Sequence, residues 1–282
     1  MGIAGAAIAT NASMGAALLF YAGLIVRADR AGRFRILRAW RPDPELFARL
    51  MRFGLPSGVQ FFVDMAGFTV FLLIVGRLGA ASLAATNVAF NINTLAFMPM
   101  IGLGMAVSIL VGQHLGRDDP RRAERCVRAG LRMTFLYMGA VAALYVLTPG
   151  LFLSPYAVFA TAGSFEPIRE LAVVLLRFVA VYSLFDVLTI VYAAALRGAG
   201  DSRFVMYMIS GLSCSVLIVP SYVAIEVFGA GILTGWAIAT GYVSLLGVAF
   251  YLRFRGGKWR TMRVIEPPEG RAHDRNRSDT GP

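Results

Sequence analysis

Two carboxylates sit in sequence that is otherwise strongly apolar. Asp64 lies within GLPSGVQFFVDMAGFTVFLLIVG and Asp186 within LLRFVAVYSLFDVLTIVYAAAL. An acid at the centre of a bilayer costs about 2.5–3.5 kcal/mol on insertion scales, so intramembrane acids mark ion or substrate pathways by default. Counted from the polar ends of their runs, Asp64 is about eleven residues deep and Asp186 about ten. At about 1.5 Å per residue both fall near mid-membrane.

Each acid has polar company at helical spacing. Ser57, Gln60 and Asp64 form one stripe, and Tyr182, Asp186 and Thr189 another, while Asn87, Asn91 and Thr94 add a third on a neighbouring run. Together these oxygens could coordinate a small cation or accept a proton, so we take Asp64, Asp186 and Tyr182 as candidate ion ligands. Gln60, Asn87, Asn91 and Thr94 are candidates for a polar substrate cavity. Hydrogen bonding between helices, at about 0.6–2 kcal/mol per contact, competes as an explanation for Asn87, Asn91 and Thr94. It accounts poorly for two acids at matched depth.

The remaining chemistry-bearing residues converge on nothing. Cys126, Cys214, His114 and His273 lack the spacing of a disulfide or metal framework, and no metal is expected beyond a Na+ held by Asp64 and Asp186. RGAGDSR reads as a tight turn between two spans rather than a phosphate loop. No nucleophile, base and acid come together as an enzyme requires, and no organic cofactor is implied. Arg177 lies nearer the opposite surface, can snorkel, and reads as structural.

The elements that must carry the two acids are transmembrane helices. With 57% hydrophobic residues, 15% charged residues and a mean hydropathy of +0.67, the 282-residue chain has too little polar surface for a soluble globule of its size. Seven stretches reach the roughly 20 residues a spanning helix needs, which makes the fold all-α and polytopic. We expect spans at 3–26, 53–77, 82–113, 126–149, 170–196, 204–227 and 231–254, with Pro99 bending the third.

The net charge of +11 would suggest nucleic acid in a soluble protein. Here 24 of the 27 basic residues fall in alternate loops, at 27–52, 114–132, 197–203 and 253–282. That pattern is topology, with the Arg-rich face and the C-terminus in the cytoplasm of a cell bounded by an inner membrane, and with no nucleic-acid partner. The first span, GIAGAAIATNASMGAALLF, has no charged n-region and is a poor signal peptide. Its Gly5, Ala9, Ser13 and Ala17 suit close packing against helices outside this sequence. The organisation expected is a helix at 1–26, a basic linker at 27–52, a six-helix lobe at 53–254 and a disordered tail at 255–282.

The segment FGLPSGVQFFVDMAGFTVFLLIVGRLGAASLAATNVAFNINTLAFMPMIGLGMAVSILVGQHLG resembles the seventh and eighth helices of multidrug and toxic compound extrusion (MATE) transporters of the NorM-like branch. LLRFVAVYSLFDVLTIVYAAALRGAGDSR is similar to that family's tenth helix and following loop, so the resemblance runs from residue 1 to about 255. It implies a two-lobed transporter, six helices per lobe, that exports cationic or amphipathic compounds in exchange for Na+ or H+. On that resemblance this chain carries the last helix of the N-lobe and the six-helix C-lobe, and the family's cation site falls on Asp64 and Asp186 with Tyr182. Two departures stand out. Asp64 replaces a typical Glu, and the family's first five helices are absent from this sequence.

A cation-coupled antiporter lobe is therefore the leading expectation. An inactive fragment or a half-transporter needing a second lobe is the alternative, since transporter halves place substrate at their mutual interface. A seven-helix receptor or a lipid flippase fits the same topology.

Overall fold

The computed structural model describes residues 2–30, 43–159 and 166–262. Nearly all of them are helical, and no strand occurs among the described residues. In chain order the elements are α1 (Gly2–Arg30), α2 (Pro44–Gly76), α3 (Ala80–Gly116), α4 (Pro120–Leu147), α5 (Pro149–Phe159), α6 (Glu166–Ala199), α7 (Ser202–Val227) and α8 (Ile232–Arg255), followed by a 3₁₀ turn at Lys258–Thr261. All but α5 are long and apolar enough to cross a membrane, giving seven candidate spans among the described residues. The all-α polytopic fold expected from the sequence is the one observed.

The chain divides into two compact units, Met1–Arg52 and Phe53–Pro282. In the first, α1 presents exposed apolar side chains along its length, Leu18, Leu19 and Phe20 among them. Its small residues Ala9, Ser13 and Ala17 are exposed too.

In the second unit α6 is the central helix, packed against α3, α4 and α8. Its sequence is apolar on nearly every side, as a helix with neighbours all round must be. Ala172, Leu175, Leu176, Val179, Val187, Val191 and Ala193–Leu196 are all buried. Lipid tails are as apolar as leucine, so close packing rather than water exclusion holds such helices together, and small residues at the crossings make it achievable. The buried face of α3 supplies them: Ala85, Ala89, Ala96 and Gly104 recur at three- and four-residue steps or multiples of them. A Cβ on Gly104 would lie 2.9 Å from the Ile190 side chain, and one on Gly112 would lie 3.2 Å from the Gly198 carbonyl. Gly198 itself packs against the backbone of Ser108 with no room for a methyl group.

Several boundaries differ from expectation for local reasons. The second helix starts at Pro44 rather than 53, because the Asp43 side chain accepts from the amides of Glu45 (2.9 Å) and Leu46 (3.2 Å) and Pro44 sits in the first turn. Residues 44–52 of the expected linker are therefore helix. α4 likewise starts at Pro120, where Asp119 accepts from the Arg122 amide at 3.0 Å. α3 runs through Pro99 as continuous helix. The short α5 was not anticipated, its eleven residues being too few for a span. The RGAGD segment forms the tight turn expected: Gly200 takes a φ of 96° that favours glycine, and the Asp201 amide donates back to Leu196 at 2.9 Å.

α7 is irregular where it needs to be. Pro220 removes a backbone donor, and two π-helical stretches, Ser213–Ile218 and Val223–Val227, surround it. Ser213 leans on α2, where a Cβ at Gly67 would come within 2.5 Å of its hydroxyl.

At the Arg-rich end, Arg253 of α8 pairs with Asp201 at 2.8 Å while its guanidinium lies 4.6 Å from the centre of the Phe204 ring. Trp259 stacks on Phe254 with ring centres 4.6 Å apart, and Arg260 reaches Glu124 of α4 at 2.8 Å. The tail expected to be disordered from residue 255 thus begins as ordered structure, because buried Trp259 anchors it. The middle of the expected linker, 31–42, and the tail at 263–282 lie outside the described residues.

The α3–α6 crossing makes a direct prediction. Gly198→Ala should lower the thermal midpoint of the purified chain in detergent, with a cost towards the upper end of about 1–3 kcal/mol, because backbone on the other side cannot yield. Gly139→Ala, whose methyl would meet open space, should leave the midpoint unchanged or raise it. Equal midpoints for Gly198→Ala and wild type would contradict the packing described.

Candidate functional site

Asp64 of α2 and Asp186 of α6 both lie in the second unit. Both are partly buried and within electrostatic range of each other. Tyr242 of α8, buried and next to Ser213 of α7, lies within the field of both carboxylates. Helices α2, α6, α7 and α8 therefore contribute to one polar interior.

Two hydrogen-bonded side-chain pairs stand beside the acids. On the Arg-rich side, Arg197 at the end of α6 donates to Gln60 Oε1 at 3.3 Å, and the Gln60 side chain lies within polar reach of Asp64, one turn along α2. Gln60 is only 8% exposed, so its amide meets the guanidinium with little solvent between them. On the other side, Asn93 of α3 donates from Nδ2 to the Tyr182 hydroxyl at 2.7 Å. Tyr182 then keeps its own proton to give, and Asp186 lies within electrostatic reach one turn further along α6. Asn93 Oδ1 is buried with no hydrogen-bond partner. A buried amide oxygen costs free energy unless something donates to it or is coordinated by it.

An aromatic wall flanks this interior. Phe90 of α3 stacks on Trp236 of α8 with ring centres 4.8 Å apart and meets Phe68 of α2 edge-on at 4.7 Å. Trp236 Nε1 donates to Thr86 at 3.4 Å.

Of the residues singled out from sequence, Asp64, Asp186, Tyr182 and Gln60 fall in this connected group. Asn87, Asn91 and Thr94 lie on the exposed side of α3, where the Thr94 hydroxyl bonds back to the Phe90 carbonyl at 2.8 Å. Thr189 donates to the Val243 carbonyl at 3.2 Å and ties α6 to α8. Sequence reasoning missed Asn93 and Arg197. Asn93 shares the three- and four-residue progression of the small residues Ala85, Ala89 and Ala96, the signal that marks the buried face of α3. Arg197 has no such signal, since an arginine at a span's end ordinarily serves topology. Among the described residues no group of three or more His, Cys, Asp or Glu comes together. A cation here would be held by two carboxylates and neutral oxygens, ligands that suit hard ions.

Comparison with known proteins places the chain in a family. The MatE family model matches residues 56–223. A probable multidrug resistance protein NorM of Brucella suis biovar 1 is 31% identical over 253 residues, covering 87% of this chain and 53% of the relative. The multidrug resistance protein NorM of Vibrio cholerae is 34% identical over 202 residues, covering 69% of this chain and 42% of its own length. Among solved structures, MATE in complex with MaL6 superposes with a TM-score of 0.71 at 17% identity, over 80% of this chain and 50% of that one. An outward-facing multidrug resistance MATE transporter of the MOP superfamily gives a TM-score of 0.66 at 20% identity, over 79% and 49%. The chain spans about half the length of the curated relatives it matches. With the family model matched across more than half of its residues, the chain belongs to the MATE family of multidrug efflux transporters.

Proposed function

We propose that this chain is the ion-coupling lobe of an exporter that moves cationic or amphipathic compounds out of the cell in exchange for Na+ or H+. The observation that carries the proposal is the pairing of Asp64 and Asp186 within electrostatic range, with the Gln60–Arg197 and Asn93–Tyr182 pairs beside them, in a lobe that is otherwise apolar. A coupling ion entering between them is drawn by two carboxylates and ligated by neutral oxygens, Tyr182 and the unpartnered Asn93 Oδ1 among them. Arg197, acting through Gln60, is the resident positive charge that steadies Asp64 when no ion is bound. Ion entry and Arg197 then compete for the same carboxylate, which gives exchange rather than permanent occupancy.

The drug itself would lie against the aromatic wall and the exposed polar face of Asn87, Asn91 and Thr94, completed by a second lobe across the substrate path. The chain's coverage of about half of its curated relatives supports a two-lobe assembly. The charge distribution supports an inner-membrane protein with its Arg-rich end and C-terminus in the cytoplasm.

Two experiments test this reading. In drug-hypersensitive cells carrying the lobe joined to its first half, Asp186→Asn should reduce ion-dependent efflux of a fluorescent cationic dye to background. Efflux at the wild-type rate would rule out the assignment. In the same assay Asn93→Leu should weaken the apparent affinity for the coupling ion about tenfold, since it strands the Tyr182 hydroxyl at a cost of about 1–3 kcal/mol. Thr94→Ala, whose hydroxyl bonds only within its own helix, should leave that affinity unchanged. If the two substitutions behave alike, Asn93 is not a ligand.

A further inference from the structure

α4 carries a feature that efflux does not use. Arg121, Arg125, Arg128 and Arg132 are spaced by four, three and four residues, which at roughly 100° per residue confines them to one narrow stripe about 17 Å long. All four are exposed, and the stripe turns away from the buried face formed by Ala123, Val127, Gly130, Thr134 and Met138. Neighbouring acids are engaged elsewhere: Asp119 holds Arg122 at 3.0 Å and Glu124 holds Arg260 at 2.8 Å. No ion pair of the four arginines occurs among the described residues.

The same stripe changes character along the helix. Beyond Arg132 it continues through Leu136, 77% exposed, then Gly139, where a Cβ would meet open space, and exposed Ala143. Counting about 20 residues back from Leu147 to span a hydrocarbon core of about 30 Å brings the boundary to Arg128. Arg121 and Arg125 then lie in the headgroup layer, and Arg132 is one turn inside with a stem long enough to snorkel outwards. A row of guanidiniums at headgroup depth below an open apolar track has the layout of a phospholipid, with phosphate at one end and acyl chain at the other. A nucleic acid or an acidic peptide would match the charges and not the apolar track.

We propose that this stripe is a binding site for anionic phospholipid in the leaflet on the Arg-rich side. Guanidinium forks fit phosphate oxygens bidentately, so the site prefers phosphodiester headgroups of net negative charge to zwitterionic ones.

The test is lipid retention by the purified protein in uncharged detergent, read by native mass spectrometry after adding phosphatidylglycerol and phosphatidylcholine of identical acyl chains in equal amounts. A basic residue near an anionic surface contributes about fivefold, so wild type should retain phosphatidylglycerol at least tenfold over phosphatidylcholine. The R121Q/R125Q/R128Q/R132Q variant should lose that preference. The R117Q/R203Q/R255Q/K258Q variant, which removes equal charge off the stripe, should keep it. Should the stripe variant fail to fold, R128Q/R132Q reports the same loss at reduced size, and its melting curve in detergent separates lipid loss from unfolding. Retained preference in the stripe variants, equal loss in the off-stripe variant, or displacement of phosphatidylglycerol by millimolar inorganic phosphate would each overturn the proposal.

Discussion

A carboxylate held at mid-membrane is tolerated only if the surrounding protein supplies what water would have supplied, and much of this lobe follows from that constraint. Asp64 and Asp186 stand on different helices, α2 and α6, and each has a buried polar side chain one turn away on its own helix, Gln60 and Tyr182. Gln60 is buried where it can receive Arg197 at 3.3 Å and turn its amide to Asp64. Asn93 is buried where it meets Tyr182 at 2.7 Å, one turn from Asp186. Removing either intermediary would leave a polar group in a low-dielectric interior with nothing to pair against, and that penalty exceeds the net worth of the bond itself.

The pairs beside the acids form only because the helices lie close together. Glycines 104, 112 and 198 let α3 approach α6 until backbone faces backbone, and this closeness sets Asn93 against Tyr182. On the other side, Gly67 admits Ser213 from the π-helical part of α7, three residues along α2 from Asp64. The irregular backbone of α7 thus lies next to the polar interior. π-helical stretches recur at functional sites in helices. The partly buried Asp201–Arg253 pair and the Trp259 stack secure the Arg-rich end of the bundle by contrast.

How much of this could be read from sequence depends on the physical signal involved. Seven spans and an all-α fold follow from apolar length, and the two acids stand out because charge is rare in such runs. Gln60 and Tyr182 follow from helical spacing relative to the acids. α3 was harder, since Asn87, Asn91 and Thr94 share one face and Asn93 lies on another, and choosing between them requires knowing which face meets α6. The progression of small residues marks that face, and Asn93 lies on it. Arg197 was not legible, because whether an arginine at a span's end turns out to headgroups or folds back towards a carboxylate is decided by tertiary packing. The early starts of α2 and α4 trace to Asp and Pro caps that hydropathy does not register.

The central claim is that Asp64 and Asp186 act as one site. The most direct test is difference infrared spectroscopy of the purified chain in lipid, following the protonated carboxyl stretch of Asp186 across a pH titration in wild type and in Asp64→Asn. Coupled carboxylates titrate as a pair, so the account predicts that the Asp186 band shifts its midpoint when Asp64 loses its charge. A midpoint unchanged by Asp64→Asn would mean that the two acids are independent and that no shared ion site exists between them.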